Sequence, residues 1–595
     1  MSFPVLIVGA GPSGLMMAHE LARFNIPVKI IDKALTKSTY SRAIAVQIRT
    51  LEIFSALGML NKLISKSESL EAIETYIEGR PPIKIIPVAT TSSFWKPLII
   101  DQTHTEEVLE YYVKNLGVHI ERGIELIGLQ EHENNYFAEL KTPTGLVKAG
   151  PFSYIIGADG AHSFVRKKMG VSFSGTTYDD AFILADALCS EQNLGDRFEF
   201  GSMAQFSPSN RRPVACPRDL DTSRLAEPCV QAARRREGGS LKFESISEEQ
   251  NHRGVFRIFF KKTDFLAMIP MWGDKHYRLI SVRKDERVKI GPEPSIEEFQ
   301  KIITKLVPFP LKIELVSWLS RFFVQCRNAD KYQKGSLFLV GDAAHIHSPA
   351  GGQGMNTGLQ DAFNLSFKLA LVIKNLSPKS LLETYEEERK PVGEFLIKNT
   401  DRFFKFMIRG SLLVRLMRLV ILPIFARSKK FRTKIFTIGS QTAIKYKSGL
   451  ICHSDEHDLP PEVILGVRVI NWPLIDNHLQ KTDMHICAAK NFFTCFIFIP
   501  NNCDKNLTKK IYKQSCLFAE KYANFLNLII IFFNDFNAEK IMAEENYCVL
   551  ADPVIMPAYD SPFYIITRTD AHVFCAGPIS DLDHADQALS SWYNQ

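Results

Sequence analysis

The sequence predicts an α/β fold in which a Rossmann-like nucleotide-binding domain is interleaved with a mainly β domain and followed by a second α/β domain. Three observations support this prediction. A glycine-rich turn follows the first apolar run, two later apolar runs end in a Gly–Asp or Asp–Gly corner, and strand-like and helix-like segments alternate from about residue 484 onward. Such alternation, joined by glycine-rich turns, is typical of layered α/β domains.

Length and composition are those of a globular protein with a large core. The chain has 595 residues, of which 46% are hydrophobic and 23% are charged. At roughly 100–200 residues per domain, this length predicts three to four structural units, and the composition argues against extensive disorder. The formal net charge of +7 is small for this length. A bound dinucleotide would balance it as well as nucleic acid would, and we expect no nucleic-acid partner.

Cysteine usage and the N-terminal residues indicate where the protein acts. The 11 cysteines are scattered and form no CxxC pair, so the spacing predicts neither a zinc site nor a dithiol redox centre. The apolar run at 4–8 breaks at Gly9 and lacks a basic flank, which is typical of a strand and not of a signal peptide. No apolar run reaches the about 18 residues of a membrane span. We therefore expect a cytoplasmic protein.

The first forty residues have the pattern of a dinucleotide-binding unit. The apolar run at 4–8 precedes a GxGxxG turn at 9–14, and a helix-like segment and a second apolar run at 28–31 follow, ending at Asp32. The order strand, glycine turn, helix, strand and terminal acid is much more specific than the glycine motif alone. It does not distinguish NAD from FAD. A Rossmann-like turn without a ligand is the alternative.

Each residue type in this turn has a physical reason. Gly9 permits a tight turn, Gly11 lets the backbone approach a pyrophosphate, and Gly14 lets the helix pack closely on the strand. The free amides at the helix N-terminus favour the phosphates, and Asp32 can accept hydrogen bonds from ribose hydroxyls. The predicted nucleotide site at this turn also includes Pro12, Ser13 and Lys33.

Two later corners place further acids at strand ends. Residues 154–160 read Tyr-Ile-Ile-Gly-Ala-Asp-Gly, and residues 336–342 read Ser-Leu-Phe-Leu-Val-Gly-Asp. A carboxylate at such a strand end can accept hydrogen bonds from ribose or ribityl hydroxyls. A glycine-rich turn after Pro349 then leads into a helix predicted over Asn356–Ile373, whose N-terminus favours negative charge.

With these motifs in this order, the chain resembles the class A flavoprotein aromatic hydroxylases typified by para-hydroxybenzoate hydroxylase, phenol hydroxylase and the polyketide hydroxylases. The resemblance implies an FAD-binding domain, a β domain that covers the flavin and walls the substrate pocket, and a C-terminal thioredoxin-like domain. The cofactor-binding residues that it implies beyond the first turn are Arg42, Gln102, Asp159, Gly341, Asp342, Gly352, Gln353, Gly354, Met355 and Asn356.

The same resemblance implies the reaction. NAD(P)H reduces FAD, the reduced flavin and O2 form a C4a-hydroperoxide, and this species hydroxylates a small aromatic or phenolic substrate. Pro349 would lie near the reacting face of the flavin. His345 and His347 are candidate active-site bases, with structural histidines in a turn as the alternative. For Arg42 and Gln102 the alternatives are a solvated arginine and a helix cap.

The motifs and the resemblance together predict the domain boundaries. We expect the FAD-binding domain to be assembled from two segments, with the substrate sheet between them and a helical linker before the last domain. The predicted segments are FAD-binding at 1–171 and 331–400, the substrate sheet at 172–330, the linker at 401–475, and a thioredoxin-like domain without CxxC at 476–595.

Two stretches keep other functions open. Residues 207–250 lose hydrophobic periodicity and accumulate arginine, which indicates an insertion or an altered segment of the substrate domain. Residues 411–425 read as an amphipathic helix, which packs on the domain or contacts a membrane surface. The alternatives are a ubiquinone-pathway-type hydroxylase at a membrane, and a flavin-binding protein without hydroxylase activity. A homodimer is also left open.

Overall fold

The computed structural model describes most of the chain, and the statements below concern the described residues. Arg42, which the resemblance places near the flavin, and the arginine-rich segment 207–250 lie outside them. The described residues are 3–38, 43–78, 80–88, 92, 94, 96–191, 254–262, 264–283, 293–349, 351–408, 412–447, 449–452, 462–475, 481–500, 503–532, 548–551 and 561–594.

A six-stranded sheet, called the parallel sheet below, forms the predicted Rossmann-like unit. The apolar runs at 5–8 and 154–157 are fully buried, as expected for strands that are covered on both faces. Neighbouring strands run parallel except for the edge pair at 333–334 and 337–339. In spatial order the strands are Gln333–Lys334, Leu337–Leu339, Tyr154–Gly157, Val5–Val8, Val28–Asp32 and Ile120–Arg122.

An eight-stranded, mostly antiparallel sheet, the middle sheet, forms the β domain expected between the two FAD-binding segments, and the apolar runs at 181–185, 255–260 and 279–282 lie in its strands. Two of its strands, Ala72–Ile77 and Ile83–Ile85, come from the N-terminal part of the chain. They join the sheet because Ala72–Ile77 pairs in parallel with Val255–Lys261. The two units are therefore interleaved more deeply than a boundary at residue 171 implies. In spatial order the strands are His345–Ile346, Leu311–Ala329, Phe173–Glu191, His276–Arg283, Asp264–Pro270, Val255–Lys261, Ala72–Ile77 and Ile83–Ile85.

Two small antiparallel sheets complete the N-terminal two thirds of the chain. One is a meander of three consecutive strands beside the nucleotide-binding unit. In the other, the strand just before the helix at 102–115 pairs with two strands from earlier in the chain. Their strands are Glu125–His132, Asn135–Thr142 and Gly145–Phe152 in the first, and Ala45–Val46, Leu98–Ile99 and Glu68–Ser69 in the second.

Two helices lie at the centre of the nucleotide-binding unit. The first helix, Pro12–Arg23, packs against the central helix, Gly354–Ile373, which is buried along almost its whole length. The long helix, Glu383–Ile408, follows it. No helix in the described part of the chain is long and apolar enough to cross a membrane. The remaining α-helices are Ile48–Ala56, Leu60–Ile64, Gln102–Asn115, Phe164–Met169, Ile296–Leu306, Leu412–Leu416, Leu422–Arg427, Lys429–Gly439, Met484–Ala489, Lys505–Lys521 and Leu582–Ser590.

The amphipathic helix predicted over 411–425 is interrupted in the structure. Pro423 has no N–H to donate to the carbonyl of Leu419, so the regular hydrogen-bond ladder cannot continue there. The guanidinium of Arg80 donates to that carbonyl instead, at 3.0 Å. A π-helical turn, Met417–Ile421, separates the two short α-helices of this segment.

A seven-stranded sheet, the C-terminal sheet, accounts for the alternating segments that the sequence shows after residue 484. Its last two strands form a hairpin that flanks the turn at 569–572. The last helix spans Leu582–Ser590. That this unit is thioredoxin-like stays a prediction. In spatial order the strands are Lys481–Asp483, Pro473–Ile475, Cys548–Ala551, Leu526–Phe532, Phe493–Ile499, Phe563–Arg568 and Val573–Pro578.

Candidate active site

The carboxyl ends of the parallel strands open into a cavity of about 1080 Å³. Ligands of open α/β sheets bind at this edge, where the connections leaving neighbouring strands diverge. The cavity exceeds the roughly 300–1,000 Å³ of a pocket for one small ligand, so it has room for a dinucleotide and a second molecule. Most of the predicted cofactor-binding residues line it, namely Gly9, Gly11, Pro12, Ser13, Asp32, Lys33, Gln102, Asp159, Asp342, Gly352, Gln353, Gly354 and Met355.

The glycine turn at 9–14 fits the close approach of a pyrophosphate. Gly9 has a φ of +105°, and a Cβ there would lie 2.3 Å from the carbonyl oxygen of Ala158. A Cβ on Gly14 would lie 1.9 Å from the carbonyl oxygen of Gly9, so glycine is needed for the first helix to pack this closely. Gly11 lines the cavity, yet a Cβ there would meet no protein atom within 4 Å. The space beside Gly11 is therefore open to a ligand.

Asp32 ends its strand at the cavity wall and holds the glycine turn in place. Its Oδ2 accepts the N–H of Ala10 at 2.7 Å, and its Oδ1 accepts the N–H of Ala34 at 2.8 Å. A carboxylate has about four lone-pair sites, so both oxygens can still accept hydrogen bonds from the hydroxyls of a ligand. The position fits the predicted contact with ribose.

Asp159 caps a short helix beside the cavity. Its Oδ2 accepts the N–H of Phe164 at 2.6 Å and that of Val165 at 3.3 Å. Its Oδ1 is buried and has no hydrogen-bond partner among the described residues. Burial raises the pKa of this carboxyl, because the charged form loses solvation. A hydroxyl or amide group of a bound ligand could donate the hydrogen bond that Oδ1 lacks.

The corner at 341–342 packs directly on the first helix. Gly341 has a φ of +59°, and its N–H donates to Oδ2 of Asp361 at 3.1 Å. A Cβ on Gly341 would lie 2.5 Å from Oγ of Ser13, and one on Gly358 would lie 2.3 Å from the same atom. The two glycines together make room for the serine side chain. Asp342 is exposed at the cavity wall, where the prediction placed it.

Asn356 organises the glycine-rich turn and does not line the cavity. Its side chain is fully buried and makes three hydrogen bonds. Its Oδ1 accepts the N–H of Gln47 at 2.8 Å, and its Nδ2 donates to the carbonyls of Ala45 at 2.9 Å and Gly352 at 2.8 Å. The turn is thereby held at the start of the central helix, whose positive end lies at the cavity.

Gln102 lines the cavity but does not cap a helix. The helix begins with Gln102 itself, and its N-cap residue Asp101 makes no capping hydrogen bond through its side chain. The Oε1 of Gln102 accepts the N–H of Ala43 at 3.3 Å, and its Nε2 donates to Oε1 of Glu106 at 2.8 Å. The helix-cap alternative is therefore wrong, while the position at the cavity wall agrees with a cofactor contact.

His345 is placed away from the cavity. It is 1% exposed, and its Nε2 lies 2.7 Å from Oδ2 of Asp361, whose Oδ1 accepts Nε–H of Arg389 at 2.7 Å. Burial would raise the pKa of Asp361, but the charges of Arg389 and His345 outweigh it and lower that pKa. This buried network fits the structural-histidine alternative. The position does not support His345 as the catalytic base.

His347 and Pro349 lie at the cavity wall. The Nδ1–H of His347 donates to the carbonyl of Ser348 at 2.9 Å, while its Nε2 is buried without a hydrogen-bond partner among the described residues. Burial lowers the pKa of His347 to about 4, so the ring is neutral at neutral pH and is a weak base. Pro349 is exposed toward the cavity, consistent with the predicted place near a flavin.

The wall opposite the glycine turns is apolar. Strand alternation turns Phe265, Ala267 and Ile269 toward the cavity, so alternate residues of the strand Asp264–Pro270 supply wall residues. Arg278 is a charged residue within this wall. Its guanidinium donates two hydrogen bonds of 2.7 Å to Asp186. Further apolar wall residues are Phe182, Phe256, Ile258, Phe260, Ile280, Leu396, Phe404, Leu422, Phe436 and Ile438.

Comparison with known proteins identifies the family. A family model described as an FAD binding domain matches residues 2–400. The chain belongs to this family. The 6-methylpretetramide 4-monooxygenase of Streptomyces rimosus is 32% identical over 405 residues, which are 67% of this chain and 60% of that enzyme. The 12-dehydrotetracycline 5-monooxygenase/anhydrotetracycline 6-monooxygenase of the same species is 28% identical over 603 residues, which span 100% of this chain and 99% of that enzyme.

A solved structure agrees in fold over the whole length. The anhydrotetracycline hydroxylase OxyS from Streptomyces rimosus superposes with a TM-score of 0.69 at 20% identity and covers 100% of both chains. The chain is accordingly an FAD-dependent aromatic monooxygenase that uses NAD(P)H as co-substrate. These comparisons support neither a ubiquinone-type hydroxylase at a membrane nor a flavoprotein without hydroxylase activity.

Sequence reasoning assigned no role to Arg166, which joins two parts of the monooxygenase site. Its guanidinium donates to the carbonyl of Ala161 at 2.6 Å and to that of Ala343 at 2.8 Å. It also lies 3.7 Å from the ring centroid of Phe173. The arginine thus ties the corner at 159–160 to the corner at 341–342. An arginine one turn into a helix carries no local signal for such a contact.

Proposed function

We propose that this monooxygenase hydroxylates a small phenolic compound of more than one ring, bound between the flavin and the middle sheet. The observation that carries the proposal is the single cavity of about 1080 Å³, which joins the glycine turns to an extended apolar wall. A planar aromatic substrate suits that wall, because aromatic rings gain most from burial against apolar and aromatic side chains.

The cofactor side of the cavity supplies the contacts that FAD needs. We place the pyrophosphate at Gly11 and the N-terminus of the first helix, the adenosine ribose at Asp32, and the ribityl chain at Asp342. The turn at 351–354 and the N-terminus of the central helix then lie at the flavin ring. The open space beside Gly11 supports this arrangement, because a bound pyrophosphate requires it.

The protein contributes electrostatics and exclusion of water. When bound, FAD supplies the redox chemistry, in which NAD(P)H, O2, a proton and the aromatic substrate give the hydroxylated product, NAD(P)⁺ and water. The positive end of the central helix stabilises negative charge that develops beside the turn at 351–354. The apolar wall keeps water from the reacting ring, which limits release of hydrogen peroxide. His345 does not line the cavity, and the pKa of His347 is lowered to about 4, so neither residue is suited to act as a strong base.

The test is a screen of the FAD-loaded protein with single-ring and fused-ring phenols. NAD(P)H oxidation, hydrogen peroxide and product mass are measured for each compound. We expect fused-ring phenols to stimulate oxidation and to gain one oxygen atom. The Ala267→Phe variant puts a larger side chain into the apolar wall and so narrows the cavity. It should lower kcat/KM for fused-ring phenols at least about tenfold and leave kcat/KM for single-ring phenols unchanged. FAD absorbance controls for folding.

Two results would contradict this proposal. Stimulated NAD(P)H oxidation that yields hydrogen peroxide and no hydroxylated product for any compound would show a flavoprotein without hydroxylase activity. Turnover of single-ring phenols alone, with fused-ring compounds inert, would show that the size of the cavity does not set the substrate.

A further inference from the structure

A cluster of two thiols and an imidazole lies outside the active site. The Sγ of Cys452 is 3.4 Å from Nε2 of His584, and the Sγ of Cys575 is 4.0 Å from Nδ1 of the same ring. One donor atom from each of the three residues lies within 4.8 Å of the others. None of the three lines the cavity described above.

Three separate segments bring the donors together. Cys452 ends the described stretch 449–452, and its N–H donates to the carbonyl of Phe574 at 2.8 Å. Cys575 follows in the strand Val573–Pro578, and His584 lies in the first turn of the last helix. The described residues contain no second set of three such donors. Because more than 100 residues separate Cys452 from the other two, motif spacing could not reveal the cluster.

We propose that Cys452, Cys575 and His584 bind one zinc ion. Thiolate sulfur and imidazole nitrogen are the ligands that Zn²⁺ prefers, and most zinc sites in proteins are tetrahedral. With Zn–S of about 2.3 Å and Zn–N of about 2.0–2.1 Å, ligand atoms of a tetrahedral site lie roughly 3.5–3.8 Å apart. The 3.4 Å from Sγ of Cys452 to Nε2 of His584 is close to this value, so Nε2 is the ring nitrogen that would bind the ion. Three protein ligands leave the fourth position to a water molecule.

A neighbouring hydroxyl completes the surroundings. The hydroxyl of Tyr564 lies 3.6 Å from Sγ of Cys575, where it can donate to a thiolate. The ion would also connect distant parts of the chain. The N–H of Leu450, two residues before Cys452, donates to Glu388 on the long helix at 2.9 Å. Zinc at this site would thus fasten the segment 449–452 to the C-terminal sheet.

Metal titration of the full-length, FAD-loaded protein tests the proposal. The protein is purified with a reductant, treated with a chelator, and titrated with Co²⁺ as the optical probe, followed by Zn²⁺. We expect one Co²⁺ per chain with a sulfur-to-cobalt charge-transfer band that Zn²⁺ removes. The variants Cys452→Ser, Cys575→Ser and His584→Gln should each weaken binding at least tenfold. The half-buried Cys503, outside the cluster, provides the matched control Cys503→Ser, which should bind as wild type does.

Thiol alkylation provides a second measurement that does not depend on variants. Zn²⁺ should protect the partly exposed Cys452 from alkylation and leave Cys503 reactive, as read by peptide mass. Equal Co²⁺ binding in the cluster variants and wild type would overturn the proposal, as would alkylation of Cys452 at saturating Zn²⁺ at the rate seen without metal. A disulfide between Cys452 and Cys575 that persists in the reduced preparation would also overturn it. Retained FAD absorbance shows that each variant is folded.

Discussion

Gly9, Gly11 and Gly14 are the same residue type in two different kinds of surroundings. At Gly9 and Gly14 a Cβ would overlap backbone atoms, at 2.3 Å and 1.9 Å respectively. Gly11 has extended backbone, with φ −77° and ψ −176°, and no protein atom within 4 Å of a Cβ. Any residue can adopt the backbone of Gly11, so its glycine is explained by the ligand side of the turn and not by folding.

This difference predicts that Gly11→Val folds but does not retain FAD. The added methyl groups would occupy the space in which we place the pyrophosphate, and we expect FAD affinity to fall at least about tenfold, or about 1.4 kcal/mol. Circular dichroism should match wild type, and flavin fluorescence titration gives the affinity. Gly14→Val is the contrasting variant, since it should lose folded protein. A Gly11→Val protein that binds FAD as wild type does would contradict the placement.

The functional elements are turns held by side-chain hydrogen bonds, and two of the side chains involved, Asn356 and Arg166, do not line the cavity. Asn356 joins the turn at 351–354 to the segment at 45–47 through three hydrogen bonds, and Gln353 donates to the carbonyl of Gly439 at 2.7 Å. Arg166 joins the strand-end corners at 159–160 and 341–342 through two hydrogen bonds to backbone carbonyls. The helix N-terminus stabilises charge in the cavity only when its turn is kept in place.

Asn356→Ala should therefore loosen the turn without touching the ligand. It leaves the buried N–H of Gln47 without its partner, at a cost of about 1–3 kcal/mol if it stays unsatisfied, and it frees two partly buried carbonyls, which can bond water at a smaller cost. We expect a lower unfolding temperature and more hydrogen peroxide per NAD(P)H oxidised, because a displaced turn admits water. Asn135→Ala, on an exposed hairpin, is the control. Unchanged coupling of oxidation to product would show that the turn does not depend on Asn356.

Buried ion pairs connect the nucleotide-binding unit to the C-terminal sheet. Glu52 is 3.0 Å from Arg49 and 3.1 Å from Arg468, and all three side chains are nearly inaccessible. Burial would raise the pKa of Glu52, but Arg468, His485 and Arg49 outweigh it and hold that pKa at about 2. The folded state therefore favours the charged carboxylate, and this stabilisation is present above about pH 4.5 and lost as the pH falls toward 2.

Glu52→Gln tests this connection at the scale of the molecule. The neutral amide would leave two buried arginines without their counter-charge, which costs about 3–5 kcal/mol at neutral pH. The difference in unfolding temperature from wild type should be large at pH 7 and should shrink as the pH falls below 4.5, as calorimetry would measure. Glu121→Gln, in a more exposed pair with Lys29, should cost less than about 1 kcal/mol. A difference that does not depend on pH would contradict the assignment.

The sequence by itself determined the nucleotide-binding turn, the two strand-end corners and some of the strands of the middle and C-terminal sheets. These features are local, since the glycines, the terminal acids and the alternation of apolar residues set backbone geometry within a few residues. The tertiary structure alone decided which side chains reach the cavity. His345 and Asn356 share a motif with Pro349 and Met355, yet strand and helix direction bury the first two. It also decided the pairing of Cys452 with Cys575 and of Glu52 with Arg468, because contacts between distant segments depend on packing that no local pattern encodes.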